Sequence, residues 1–348
     1  MKTNPGNFFE DFKLGQQILH ATPRTLTDGD RALYTALYGS RFALQSSDAF
    51  AKQLGFSHSP LDDLLVFHTV FGKSVPDISL NAVANLGYAE GKFLKPVYAG
   101  STLSASSEVI GLKENSNGQS GVVYVRTQGR DATGELVLSF VRWVMVRKRD
   151  TKLSGADAIV PKLASAVAAG DLLVPRSDFS GTDTGLSGSP HLWDDYAVGE
   201  KIDHVDGMTV EEAEHMLATR LYQNTAKVHF NQFVESKGKF GRRLIYGGHV
   251  ISLARAISFN GLGNAFLIAA INGGRHVNPL FAGDTVFAWS EVLDKAELPK
   301  RKDAGALRLR LVATKNLPCA DFPDKNADGV YPENVILDFD YWAILPRR

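Results

Sequence analysis

The sequence predicts an α+β protein built from two copies of one domain, each an antiparallel sheet wrapped around a single buried helix. Three observations carry that prediction. The chain repeats itself along its length. Each copy holds one apolar helical stretch opened by a turn. That stretch is followed by several strands in which Val, Thr and aromatic residues alternate with polar ones. Two such sheets can join edge to edge.

The repeat is read directly from the residues. "FFEDFKLGQQILH" at 8–20 matches "LWDDYAVGEKIDH" at 192–204 without a gap, so that Asp11, Gly15, Ile18 and His20 recur as Asp195, Gly199, Ile202 and His204. Thr25, Leu37 and Tyr38 recur as Thr209, Leu221 and Tyr222 at the same offset. One deleted residue later, "KPVYAGSTLSASSEVI" at 95–110 matches "NPLFAGDTVFAWSEVL" at 278–293, and "LVLSFVRWVMV" at 136–146 matches "VILDFDYWAIL" at 335–345. Ordered matches over this span predict a first domain at 1–148 and a second at 190–348, with a connector at 149–189 rich in Ala, Gly, Ser and Asp. Within the connector a short helix is expected around 161–170. In the second copy, "TVEEAEHMLATRLYQ" predicts an amphipathic helix with Thr209 as N-cap and Glu212 completing a capping box. "YGGHVISLARAISFNG" predicts the apolar central helix, opened at Gly247 and Gly248.

Composition narrows the function. The 348 residues suit about two domains at roughly 150 residues each. Hydrophobic content of 44% and charged content of 22% are ordinary for a water-soluble fold. Lys+Arg and Asp+Glu both number 38, so no basic field draws in nucleic acid or anionic lipid. The one cysteine, Cys319, has no intrachain partner for a disulfide, which fits a reducing compartment. No apolar run approaches the roughly 20 residues of a membrane helix, and the start "MKTNPGNFFEDF" has no signal-peptide core. A cytoplasmic protein that touches neither nucleic acid nor membrane and that self-associates into a homo-oligomer is expected. The histidines are dispersed with no metal-binding spacing, so no metal is expected. "GLGNAF" at 261–266 lacks the spacing of a dinucleotide loop.

The chemistry-bearing stretch is Tyr222-Gln223-Asn224-Thr225-Ala226-Lys227-Val228-His229. Together with "PLFAGDTV" at 279–286, it resembles the MaoC-like hydratases of the hot-dog fold. His229 falls on that family's catalytic His, and Asn224 falls where the family has Asp five residues earlier. Gly247 and Gly248 fall on its glycine at the start of the central helix. The first copy reads Gly39-Ser40-Arg41-Phe42-Ala43-Leu44-Gln45, with neither acid nor His, so that copy is expected to be catalytically silent. Across "FEDFKLGQ", "LNAVANLGYAEGKF", "TRLYQNTAKVHFNQF" and "RRLIYGGHVISLARAISFNG", the chain resembles the tandem hot-dog hydratases that interconvert mesaconyl-CoA and β-methylmalyl-CoA.

The resemblance implies a double hot-dog fold and a cofactor-independent hydro-lyase acting on an enoyl-CoA thioester. It gives His229 the role of proton carrier, a task suited to imidazole. Asn224 is expected to orient water or substrate through its amide. Mesaconyl-CoA brings its own carboxylate; a second one 4 Å away would repel it by about 4 kcal/mol at an effective dielectric of roughly 20. An Asn in place of Asp removes that repulsion. Gly247 and Gly248 are expected to offer backbone N–H groups to the thioester oxygen. Lys227 stands where the family has Pro; it either faces the substrate carboxylate or remains solvated. Arg242, Arg243 and Arg275 are further cations for substrate or CoA phosphates. His68, Asp62 and Asp63 are polar residues entering the first copy's buried helix and are read as structural or substrate-lining. Two alternatives stay open: a general (R)-3-hydroxyacyl-CoA dehydratase, and a non-catalytic acyl-CoA-binding protein.

Overall fold

The computed structural model describes residues 2–152, 158–299 and 301–348. In the first half the order is β1 (Gln17–Thr25), α1 (Asp28–Tyr38), α2 (Ala43–Ser46), α3 (Asp48–Gln53), α4 (Asp63–Ile78), β2 (Ala82–Phe93), β3 (Thr102–Glu114), β4 (Ser120–Arg130) and β5 (Leu136–Arg147). A short α5 (Thr184–Ser187) lies in the connector. The second half follows with β6 (Lys201–Thr209), α6 (Glu212–Leu221), α7 (Gln232–Glu235), α8 (Gly247–Ile257), α9 (Phe259–Leu262), β7 (Leu267–His276), β8 (Thr285–Glu297), β9 (Ala304–Lys315) and β10 (Val335–Pro346).

All ten strands form one sheet in the order β1-β3-β4-β5-β2-β7-β10-β9-β8-β6. The order is palindromic in the two halves, and the join is the antiparallel pair β2–β7, with Tyr88 opposite Gly274 and Lys92 opposite Ala270. This is the hot-dog arrangement in duplicate. The central helices α4 and α8 are apolar around most of their circumference: every residue of α4 from Leu64 to Val75, and every residue of α8 from Gly248 to Ile257, is buried. A helix apolar on all sides belongs inside a sheet wrap. Side chains from both helices and both sheet halves share one continuous core.

The repeat is preserved at the level of single bonds. Buried His20 meets Ser107 Oγ through Nε2 at 2.7 Å, and buried His204 meets Ser290 Oγ through Nε2 at 2.8 Å. The Thr25–Thr102 and Thr209–Thr285 hydroxyl pairs are each 2.7 Å apart. These matching pairs tie the first strand of each half to its neighbour.

Two local expectations are corrected. Thr209 is not an N-cap: it is the last residue of β6, paired with Thr285. The helix starts at Glu212 with Glu211 as N-cap, whose backbone N–H donates to Glu214 at 3.0 Å. The strand's demand for Thr209 overrides its capping propensity. Nor does the connector form a helix over 161–170; a single 3-10 turn, Ala169–Asp171, stands near its end. The connector instead spreads over the sheet. Val167 N–H donates to Asn272 Oδ1 at 2.8 Å, Trp342 Nε1 donates to the Val167 carbonyl at 3.0 Å, and Leu172 and Phe179 are buried. Tertiary burial therefore decides its conformation.

Candidate active site

The loop after α6 is built against the other half of the molecule. Gln223 adopts a left-handed φ of +51°, which turns the chain sharply after Tyr222. Helix α4 of the first half lies so close that a Cβ on Gly72 would stand 3.0 Å from the Tyr222 carbonyl carbon and 3.5 Å from Asn224 N. The Tyr38 and Tyr222 hydroxyls are 2.9 Å apart. Arg24 donates to the Leu221 carbonyl, and Lys73 donates to Gln223 Oε1. The first half thus grips the loop from Leu221 to Asn224.

Asn224 is buried, and its Oδ1 accepts from Ala226 N–H at 2.9 Å. Its side chain also hydrogen-bonds Tyr246. The chain then makes the 3-10 turn Lys227–His229. His229 donates Nδ1–H to the Leu244 carbonyl at 2.9 Å; a carbonyl only accepts, so the bond assigns the tautomer and leaves Nε2 with its lone pair. The His229 ring stands 5.3 Å from the Tyr246 ring. Burial lowers its pKa to about 4, partly opposed by the Leu244 bond, with His215 adding a further downward push. The imidazole is half-buried rather than sealed, so it is neutral at physiological pH and still reachable.

Tyr246 is the residue before α8, and the helix has no side-chain N-cap. The first N–H groups of α8, on Gly247 and Gly248, point out of the helix without an intrahelical acceptor. Neither position has room for a side chain. A Cβ on Gly248 would be 2.6 Å from both His68 Nδ1 and Tyr246 Cζ, and one on Gly247 would meet the His276 ring, with Nδ1 2.7 Å away.

The arrangement brings His229, Asn224, Gly247 and Gly248 around Tyr246. Lys227 is exposed on the 3-10 turn at the rim. Arg242 donates to the Ala282 carbonyl at 2.6 Å and stands over Phe281, and Arg243 is ion-paired with Glu212. Arg275 is exposed on β7, in register with Asp338. His249 is buried against Tyr38, with ring centroids 5.1 Å apart. Cys319 is buried, and burial pushes its thiol up to about 11, which suits packing rather than reactivity.

Two more histidines stand here: His68, read from the sequence as structural or substrate-lining, and His276, which the sequence reading missed. His68, from α4 of the first half, is fully buried beside Gly248, its Nδ1 3.4 Å from the Tyr246 hydroxyl. His276, at the end of β7, lies against Gly247. A signal for His276 exists in the repeat, whose matched "KPVYAG" and "NPLFAG" segments put it opposite Phe93 in the first half. At the corresponding end of α4 stand Asp62 and Asp63. Asp62 caps the helix through Leu64 N–H at 2.9 Å, and Asp63 Oδ2 accepts from Ile268 N–H at 2.8 Å. Burial pushes Asp63 up to about 8, and connector residues Leu173 and Pro175 line the same small cavity. That end of the first half is filled by its own chain.

The model of the mesaconyl-CoA hydratase family matches residues 2–319. This chain belongs to the mesaconyl-CoA hydratase family. Within reach of that family, it is 64% identical over 348 residues to a mesaconyl-CoA hydratase of Cereibacter sphaeroides, covering all of both chains. It is 63% identical over 348 residues to a β-methylmalyl-CoA dehydratase of Chloroflexus aurantiacus, covering 100% of this chain and 99% of the relative. A crystal structure of a MaoC domain dehydratase from C. aurantiacus superposes with a TM-score of 0.98 at 62% identity, over 100% of this chain and 99% of that one. A Mycobacterium tuberculosis protein with a double hotdog fold superposes with a TM-score of 0.74 at 26% identity, over 98% of each chain. The double hot-dog expectation holds, and the two named relatives align over the whole length of the chain.

Proposed function

We propose that this chain catalyses the reversible addition of water to mesaconyl-CoA, giving β-methylmalyl-CoA. The observation that carries the reading is the state of His229: its Nδ1 is committed to the Leu244 carbonyl, while Nε2 is neutral, unprotonated and close to the uncapped start of α8. The full-length similarity to proteins named for this reaction supports the substrate.

In this reading His229 Nε2 takes a proton from water as the water oxygen bonds to Cβ. The π electrons move through Cα to the thioester oxygen, which the Gly247 and Gly248 N–H groups hold. The His229 imidazolium then returns its proton to Cα, so no cofactor is needed and the histidine ends neutral. Asn224 positions the catalytic turn, since its amide is engaged with Ala226 and Tyr246. As an uncharged side chain it leaves room for the substrate carboxylate. Lys227 attracts that carboxylate at the rim, and Arg242, Arg243 and Arg275 offer positive charge to the CoA phosphates. An uncharged-acyl hydratase would use the arginines equally; Lys227 and the uncharged Asn224 are what favour a carboxylated substrate.

The test follows loss of the enoyl-thioester absorbance with mesaconyl-CoA and crotonyl-CoA. The reading expects kcat/KM for mesaconyl-CoA to exceed that for crotonyl-CoA at least tenfold, the order of one well-placed charge contact, about 1.4 kcal/mol. Equal values would favour the general dehydratase, and no turnover of either would favour an acyl-CoA-binding protein.

A further inference from the structure

The end of β7 carries a polar side chain that the mechanism above does not use. His276 closes over Gly247: an added Cβ there would collide with the Cε1–Nε2 edge of its ring, with Nδ1 2.7 Å away. Its Nε2 is 3.3 Å from the hydroxyl of Tyr88, on β2 of the first half. Tyr88 is buried, its ring edge-on to that of His276 at 6.0 Å. Tyr88 and His276 thus meet across the β2–β7 join of the two sheets.

Both partners are neutral, so the pair forms with either one donating. Desolvation raises the Tyr88 pKa far above its ordinary value, so the hydroxyl keeps its proton. Burial, with the nearby His229, lowers His276 to about 4, so its ring is neutral. A neutral imidazole that accepts Tyr88 O–H at Nε2 must carry its proton at Nδ1. Among the described residues Nδ1 has no hydrogen-bond acceptor, and the ring is only half-buried. With Tyr88 as the donor, the ring proton lies on Nδ1, a free N–H on a ring packed against Gly247, the residue whose N–H is proposed to hold the thioester oxygen. In the first half the matching position is Phe93, an apolar side chain.

We propose that His276 is a further catalytic residue, donating its Nδ1–H to the thioester oxygen as the enolate forms, and that Tyr88 of the first half is a positioning residue that fixes its tautomer. The inference rests on the hydration reading and deepens it. The proton stays on His276 throughout: it is a hydrogen bond that strengthens with the developing charge, and the transferred proton travels through His229 alone. A neutral imidazole suits this task because it presents its donor without drawing a fixed cation–enolate pair into a trap. The first half, though it lacks the motif, would then contribute directly to the chemistry of the second.

The test separates a donor from a packing residue. Leucine at 276 fills the space with no donor. Asparagine places its amide nitrogen at the position of Nδ1. His276→Leu is expected to lower kcat by about 10²-fold, the usual effect of losing one oxyanion donor. His276→Asn is expected to recover to within about tenfold of wild type, and Tyr88→Phe to fall between the two. Binding of the saturated analogue methylsuccinyl-CoA, which forms no enolate by hydration, is expected to change less than about threefold in all three, because the donor acts on the transition state. The proposal is overturned if His276→Leu keeps more than a third of wild-type kcat, if Asn and Leu lose equally, or if analogue binding weakens as much as kcat falls. Failure of the hydration reading itself would look different: wild-type protein would not turn over mesaconyl-CoA.

Discussion

Gly72→Ala tests whether the first half positions the catalytic loop. Gly72 sits in the middle of buried helix α4, where the added methyl would stand 3.0 Å from the Tyr222 carbonyl carbon, inside the normal carbon–carbon contact, and would press still harder on the carbonyl oxygen. Relief needs a movement of more than about 1 Å, set by the carbonyl oxygen, which lies nearest, since non-bonded heavy atoms rest about 3.5 Å apart. Helix α4 cannot give, because it is packed on all sides, so the loop must. Inserting a methylene-sized group into a close-packed core costs about 1–3 kcal/mol. A displacement near 1 Å at catalytic groups costs on the order of 10²-fold in rate. Asn224 is two residues from the clash, and His229 lies five beyond it. The expected outcome is a kcat for mesaconyl-CoA reduced at least tenfold, with denaturant unfolding showing a loss of only a few kcal/mol and the fold intact. Gly170→Ala is the control: nothing lies within 4 Å of its Cβ position, and both values should stay at wild type. Wild-type kcat in a folded Gly72→Ala protein would refute the idea that the first half sets the loop.

Two further outcomes are expected. Lys227→Met should lower kcat/KM for mesaconyl-CoA far more than for crotonyl-CoA, because only the former carries a carboxylate; equal small effects in parallel assays would make Lys227 a solvated side chain. Stability should fall steeply with acid. His68, His204 and His249 are buried and held neutral, with pKa values lowered to about 3, 4 and 3. Below the unfolded value of about 6.5 the unfolded chain binds protons that the folded one refuses, so each histidine costs about 1.4 kcal/mol per pH unit until the pH nears its folded pKa. Asp63, pushed up to about 8, works in the opposite sense, since its folded form keeps a proton that the unfolded form has lost. From pH 6.5 to 5 the balance of these three against one is a loss of about 4 kcal/mol, to which His229 and His276, also lowered to about 4, add in the same sense; it is read from urea midpoints at the two pH values, and an unchanged midpoint would contradict it.

Much of this was legible in the sequence because it rests on local chemistry. Matching Asp-Gly-Ile-His patterns announced the repeat, and paired His–Ser and Thr–Thr bonds show what the repeated residues are for. Gly247 and Gly248 stood out at the head of an apolar run, and a side chain at either would collide with aromatic or imidazole rings. What the sequence concealed is cross-half geometry. Nothing near Gly72 in the chain reveals the Tyr222 carbonyl 150 residues away. Tyr88 and His276 become neighbours only when β2 pairs with β7. His68 looked like an odd residue in a buried helix because its neighbours, Tyr246 and Gly248, belong to the other half. Thr209 misled for the opposite reason: a good capping residue by type, it was claimed by strand pairing.

The central claim is that His229 carries the proton, and His229→Ala tests it most directly. The initial rate of mesaconyl-CoA hydration should fall by about 10²–10⁴-fold, equivalent to about 3–5 kcal/mol of barrier. Affinity for a saturated CoA thioester should remain near wild type, because the histidine's Nδ1 bond to Leu244 holds only its own turn. A folded His229→Ala protein that retains more than about a tenth of wild-type kcat would contradict the account and place the proton carrier elsewhere.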